Sequence, residues 1–332
     1  MAFRYASRTV FIFGVARSGT TWLGKIFDSH PGTVYRHEPD MLHRDFPAWI
    51  EQDEPGPGRP MTEQWLEQLV ETRAFRSVRV RPIFAKRFHS PLQRAIRRAM
   101  IAGLSVARPM PGATRLVEAA PVPDFVDLNS TDCCRVVIKS VTSPGRTCAI
   151  ARAAPESRFV FILRHPCGYA ASQIRGIELA KFANVGHGFA DDAAHARRRN
   201  LTRERFKELP LIERIAWDWV IENEKMLEDL RLANHLMVIR YEDIVADPVS
   251  QVRELFEFCG LEWNGQTEQF LAKSTQHEGG GYYEVMQDSM ESAFRWKKQL
   301  SAAEIDQICR IALDSVPGRM CLESELPSME KV

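Results

Sequence analysis

No stretch of this sequence approaches the ~20 consecutive apolar residues that a membrane-spanning helix requires. Arg4 and Arg8 precede an apolar run, but residues 10–15 are too short for the core of a signal peptide and read as a buried strand. An excess of charge of one sign is also missing. The formal net charge is +1, which excludes a strong polyelectrolyte partner for the molecule as a whole. Cysteine occurs as seven scattered residues, with only Cys133 and Cys134 adjacent and no C-x-x-C pair. That pattern speaks against zinc and dithiol chemistry and for reduced thiols in a cytoplasmic setting. No internal repeat is evident. What remains is an ordinary globular composition, 332 residues with 45% hydrophobic and 26% charged, enough to bury a core.

Four short apolar runs, residues 9–13, 135–141, 158–163 and 236–241, read as buried parallel strands, and residues 33–35 as a weaker fifth. Helical patterns follow several of them. Residues 20–29 set Trp22, Leu23, Ile26 and Phe27 on one face, and Pro31 stops the run. Pro166 opens another helix at a favourable first position. Asp247 and Pro248 start a third, with Val249, Val252, Leu255, Phe256 and Cys259 toward the core and Gly260 closing it. Ser301 and Glu304 form a capping box. The expectation is a single domain spanning 1–332: a three-layer, P-loop-like α/β fold with a central, mostly parallel sheet of about five strands. Two regions, about 40–132 and 175–210, lack strand signals and read as helical insertions.

The most specific feature is Gly14-Val15-Ala16-Arg17-Ser18-Gly19-Thr20-Thr21-Trp22, which follows a strand and opens a helix. Consecutive backbone N–H groups there point at one spot, and the helix N-terminus adds about half a positive charge. Glycine-rich turns also serve packing alone, but an arginine, a serine and two threonines in the same turn favour a phosphate. The loop departs from G-x-x-x-x-G-K-[ST], because Thr20 stands where the lysine belongs. No strand ends in a clear magnesium-binding aspartate, and Arg17 supplies the cation instead. A P-loop nucleotide kinase or NTPase is therefore the alternative reading, and a binding module without catalysis a third. A second phosphate clasp is suggested by Arg164 at a strand end and Ser172 in the helix that Pro166 starts. A surface ion pair and a helix hydroxyl is the plainer reading of the same two residues.

Residues 15–22 resemble the 5'-phosphosulfate-binding loop of the sulfotransferases that use 3'-phosphoadenosine 5'-phosphosulfate (PAPS), closest in motif style to the carbohydrate-type branch. The resemblance implies that Arg17, Ser18, Gly19, Thr20 and Thr21 hold the phosphosulfate and that Trp22 stacks on adenine. Core packing is the other reading of Trp22. The segment Phe161-Ile-Leu-Arg164-His-Pro-Cys-Gly-Tyr-Ala-Ala-Ser172 resembles the family's 3'-phosphate motif. Arg240-Tyr241-Glu242-Asp243 resembles its Tyr-Glu-Asp turn, which places Tyr241 near the nucleotide or else in the core. Phe294-Arg295-Trp296-Lys297 resembles the segment that closes over the nucleotide. The Arg-Lys-Gly triplet of the cytosolic branch is missing there, so Arg295 joins the 3'-phosphate set by position only.

The cytosolic branch places its catalytic histidine two residues after a Lys-Thr pair, where this chain reads Lys139-Ser140-Val141. Tyr35-Arg36-His37-Glu38-Pro39 resembles the Glu-Pro element of the carbohydrate branch. Glu38 is therefore the expected base, with His37 as runner-up for its intrinsic pKa and a helix cap or salt bridge as the plainer reading of Glu38; Lys139 is expected near the sulfate or leaving oxygen, or else as a surface lysine at a strand end. The implied reaction moves a sulfuryl group from PAPS, a co-substrate, to a hydroxyl of a carbohydrate, glycolipid or other small metabolite. A sulfuryl group carries less charge than a phosphoryl group, so no metal is required. Two anion pockets are expected, a nucleotide's span apart.

Acidic residues vanish between Glu71 and Glu118, where Arg73, Arg76, Arg79, Arg81, Lys86, Arg87, Arg94, Arg97, Arg98, Arg108 and Arg115 stand. Ser90 and Pro91 start a helix with Leu92, Ile96, Ala99, Met100 and Leu104 on one side and Arg94, Arg97 and Arg98 mostly opposite. The plain reading is a solvated helix packed on the core. The functional reading is that residues 73–115 touch an anionic membrane peripherally or grip an acidic acceptor. Aromatic residues are sparse among these arginines, so nucleic acid is not an expected partner.

Overall fold

The apolar runs assemble into one sheet of five strands: β1 Thr9–Phe13, β2 Thr33–His37, β3 Arg135–Ser140, β4 Arg158–Leu163 and β5 His235–Arg240. Their spatial order is β2-β3-β1-β4-β5, and every neighbouring pair is parallel. The computed structural model describes residues 3–128, 134–179, 193–275 and 289–323. Phe11, Phe13, Phe159 and Phe161 join one apolar layer, while Val10, Ile12, Val160 and Ile162 join the other. The central strands are buried on both faces, which is why their sequences read as continuous rather than alternating apolar runs.

The fifth strand was the hardest to see in the sequence because it ends in charge. Arg36 lies within β2 and is fully buried. Its Nε donates to the Val70 carbonyl at 2.9 Å and its Nη2 to Asp124 Oδ2 at 2.5 Å. A buried ion pair thus extends β2 to His37. β3 stops at Ser140, one residue early, because the Ser140 hydroxyl turns to Asp40. β5 stops at Arg240, because Tyr241 begins a helix, Tyr241–Ala246.

The helices Thr20–Ser29, Pro166–Glu178 and Pro248–Phe258 form as expected, the last capped by the Asp247 side chain on the Ser250 N–H. Val249 is an exception to its expected core face. It lies in the first turn, ahead of the turns that pack, and is 40% exposed. Both halves of the Ser301–Glu304 capping box are made. The first insertion carries the helices Arg59–Glu71, Phe75–Val78, Pro91–Ala107 and Thr114–Ala119 around a small cluster of Phe75, Val78, Ile101, Val117 and Val122. In the second, Ala194–Arg197 and Arg203–Glu208 are short helices, and residues 180–192 lie outside the described residues.

The Pro91–Ala107 helix is rotated from its sequence reading: Leu104 still packs on the cluster around Phe75 and Arg98 stays exposed, but the first turns of the apolar side do not pack. Ile101 is its buried residue, while Leu92 is 70% and Ile96 40% exposed. Arg97 points inward instead, donating to the Pro123 carbonyl at 2.6 Å and to Asp124 at 3.2 Å. Arg108 reaches Glu118 at 2.9 Å. Two carboxylates on the following segment draw the arginines in and turn the apolar stripe out. Among the described residues, no helix is long and apolar enough to cross a membrane.

Asp124 is the hub that ties this insertion to the sheet. Burial alone would raise its carboxyl, but Arg36, Arg97 and Arg73 together hold it below the ordinary aspartate range. Its contribution to stability is present at neutral pH and is lost as pH falls through that depressed value. Asp124→Ala leaves the buried Arg36 guanidinium without its carboxylate and should cost about 3–5 kcal/mol in chemical denaturation. Replacing both partners with apolar side chains, Arg36→Met with Asp124→Leu, should recover most of that loss in the same measurement.

Candidate functional site

Each strand delivers one group to the carboxyl edge of the sheet, the edge at which open parallel sheets bind ligands. β1 runs into the 14–19 loop, β2 into Glu38, β3 carries Lys139, β4 runs into Arg164 and β5 into Tyr241. The loop leaves β1 at Gly14, where a side-chain Cβ would stand 2.7 Å from the Ile162 carbonyl oxygen on β4. It then passes through two left-handed residues, Arg17 at φ 74° and Gly19 at φ 85°. Arg17 holds that conformation at a cost that glycine would not incur, and strain of this kind gathers at functional sites. At Gly19 the missing Cβ leaves the space that the Tyr241 ring fills.

Arg164 locks these parts together. Its Nη1 donates to the Arg17 carbonyl at 2.7 Å and its Nη2 to the Ser292 carbonyl at 2.8 Å. Its guanidinium lies 4.9 Å from the centre of the Tyr241 ring, within cation–π range. The Arg17 side chain crosses to the Pro166–Glu178 helix, where its Nε donates to Ser172 Oγ at 3.0 Å. Arg17, Arg164, Ser172 and Arg295 consequently line one cleft of about 50 Å³, rather than two pockets a nucleotide apart. The left-handed turn at Arg17 aims its side chain at Ser172 and merges the two clasps.

Two lining residues, Arg175 and Gln299, were not foreseen. Arg175 stands three residues after Ser172 and seven after Gly168 on the same helix, so helical spacing alone marks it once Ser172 is suspected. Gly168 lets the Arg164 guanidinium lie close, since a Cβ there would sit 3.1 Å from Arg164 Nε. Of the loop residues only Arg17 lines the cleft. Ser18 is fully buried, and its Oγ has no hydrogen-bond partner among the described residues. Arg164 Nε is likewise unpartnered there. Thr20 and Thr21 open the helix behind the loop. Trp22 is 7% exposed, donates from Nε1 to Ser274 Oγ at 3.1 Å and meets Tyr241 edge-on at 6.0 Å. Its observed contacts are those of a core residue. Beside Arg295, Trp296 stacks on His165 with ring centres 4.5 Å apart.

At the other end of the same edge, Glu38 adopts a left-handed conformation, φ 47°, and its N–H donates to the Lys139 carbonyl at 2.7 Å. The fully buried Lys139 donates from Nζ to Glu38 Oε1 at 2.5 Å. Burial lowers the Lys139 pKa, opposed by Glu38 and Asp40. Burial would raise Glu38, but Lys139 and then His37 outweigh it and hold the carboxyl below its usual range. His37 is pushed down to about 3 by burial and by Lys139. It is a neutral imidazole at physiological pH, with its Nδ1 3.1 Å from the Tyr35 hydroxyl.

Asp40, two residues past Glu38, was also missed. Its Oδ2 accepts from Ser140 at 2.7 Å, from Ser143 at 2.8 Å and from Thr142, and lies 3.6 Å from Arg146. One carboxylate therefore fixes the turn after β3 to the turn after β2, and with it the spacing of Lys139 and Glu38. No motif marks it; the only trace is the run of hydroxyls at Ser140, Thr142 and Ser143. Arg17 lies within electrostatic reach of Lys139, and Arg76 and Arg79 within reach of Glu38. The acid–lysine pair thus stands between the cleft and the arginines gathered on Glu118.

The profile of the Sulfotransferase family matches residues 9–265. Human carbohydrate sulfotransferase 3 is 34% identical over 68 residues, 20% of this chain and 14% of that protein. Mouse carbohydrate sulfotransferase 2 is 31% identical over 80 residues, 23% of this chain and 15% of that protein. The matched segments are thus a small part of these curated relatives. Among solved structures, the sulfotransferase domain from the Curacin biosynthetic pathway is similar at 15% identity, covering 92% of this chain and 97% of that one with a TM-score of 0.44.

Gly19→Ala tests the lock between loop and strand ends. Alanine at φ 85° also has to displace the Tyr241 ring. The variant should lose about 2 kcal/mol or more in chemical denaturation, since a left-handed residue with a Cβ costs roughly 1–2 kcal/mol before any clash.

Proposed function

The chain belongs to the sulfotransferase family, and we propose that it moves a sulfuryl group from PAPS to a hydroxyl of a carbohydrate or glycan-bearing acceptor, releasing adenosine 3',5'-bisphosphate. The observation that carries this reading is the cleft, lined by Arg17, Arg164, Arg175 and Arg295 with no carboxylate among the described lining residues. Guanidinium groups in such a set favour a multiply phosphorylated ligand. The unpartnered Ser18 Oγ and Arg164 Nε supply further hydrogen-bonding capacity beside it. The names of the carbohydrate sulfotransferase relatives support the acceptor class.

In this reading Glu38 takes the proton of the attacking hydroxyl, and the new S–O bond forms as the S–O bond to the 5'-phosphate breaks. The Lys139 ion pair keeps Glu38 ionised and ready. As charge develops on the transferring oxygens, Lys139 turns toward them and its hold on Glu38 weakens. The base then gains proton affinity during the step that needs it. His37, neutral and depressed to about 3, positions Tyr35 and Glu38 rather than carrying the proton.

Two measurements test the proposal. Calorimetry should show binding of adenosine 3',5'-bisphosphate without metal and tighter than Mg·ATP; preference for Mg·ATP would favour a nucleotide kinase instead. Transfer from radiolabelled PAPS to a panel of sugars, phenols, lipids and peptides should label a sugar-containing acceptor.

Glu38→Gln should lower kcat by about 10²–10⁴-fold while leaving affinity for the bisphosphate intact, and His37→Gln should retain most activity. Both pKa shifts also shape the pH profile of kcat/KM. Activity requires ionised Glu38, whose carboxyl is held low, so the acid limb falls below the ordinary glutamate range. It requires protonated Lys139, whose pKa is lowered, so the alkaline limb arrives before the ordinary lysine value.

A further inference from the structure

The Pro91–Ala107 helix presents an apolar stripe to solvent. Leu92, Ile96, Ala99, Gly103 and Val106 repeat at alternate spacings of four and three, which places them on one face. All are exposed, Leu92 at 70% and Val106 at 76%. The opposite face is anchored by Arg97 on Asp124 and Arg108 on Glu118, so the orientation is set by ion pairs. Nothing among the described residues covers the stripe.

The charge around it indicates what does. Five cations of the 73–115 segment, Arg73, Arg76, Arg79, Arg97 and Arg108, are committed to Asp124 and Glu118, and Lys86 to Asp28. Arg94, Arg98 and Arg115 make no ion pair among the described residues, and no acidic residue occurs between Glu71 and Glu118. An exposed apolar stripe in a segment that also carries uncompensated arginines suits a surface that is apolar beneath and anionic above. A second copy of the chain suits it less well, because the same arginines would meet with no acid between them. We propose that this helix docks the protein on an anionic lipid bilayer.

Flotation of the full chain with vesicles of phosphatidylcholine alone, and with phosphatidylserine added, tests the proposal. The protein should float with the anionic vesicles only, and added salt should weaken the association. Leu92→Ser with Val106→Ser should reduce partitioning by about tenfold or more, as should Arg98→Glu with Arg115→Glu. Both pairs are on exposed side chains, so thermal unfolding and bisphosphate binding should match the unsubstituted protein. Absence of flotation, equal flotation with neutral vesicles, or flotation that survives the serine pair would overturn the proposal. So would sedimentation showing a dimer that the serine pair converts to monomer, which would assign the stripe to self-association.

Discussion

Guanidinium groups repel one another, and the edge of this sheet gathers Arg17, Arg164, Arg175 and Arg295 around one small cleft. The hydrogen bonds given by Arg164 go to oxygens that carry only partial charge. Arg164 is held by the carbonyls of Arg17 and Ser292, and Arg17 donates to the Ser172 hydroxyl. Neutral acceptors position a cation without neutralising it, which leaves its charge available to an anion. The remaining features of the site follow from this arrangement: the strained turn at Arg17, the glycines at 19 and 168, and the Tyr241 ring between loop and guanidinium all serve to bring the cations close.

The β2–β3 end of the edge follows the opposite rule. There a buried lysine meets a buried glutamate directly, and each holds the other charged against the pull of burial. A pair this close is poor as a free base and poor as a free cation. In the reaction we propose, a third charge draws Lys139 away and releases Glu38. Asp40 with its hydroxyls ties the turn after β3 to the turn after β2.

The first insertion shows how charge can override apolar periodicity. In isolation the Pro91–Ala107 sequence has an apolar side and an arginine side, and burial of the apolar side is the economical guess. Asp124 and Glu118 reverse it. Each is surrounded by arginines from several segments, and a partly buried carboxylate that lost those partners would be costly. The helix therefore turns Arg97 inward and leaves Leu92 and Val106 in solvent.

Local signals carried much of the architecture. Strand-sized apolar runs, Pro166 at a helix start, the Ser301–Glu304 box and the turn through Gly19 are each written within about ten residues, the range over which backbone sterics and capping act. That Arg164 and Ser172 could share a site was legible for the same reason, and both line the one cleft. What the tertiary structure alone decided rests on contacts between distant segments. That Arg17 and Arg164 share a cleft, that Asp40 clamps the turn after β3, that His37 is neutral, that Trp22 packs inward and that Arg97 turns in to Asp124 all depend on which groups meet across the fold. Burial and electrostatics are set by those meetings, and no run of neighbouring residues encodes them.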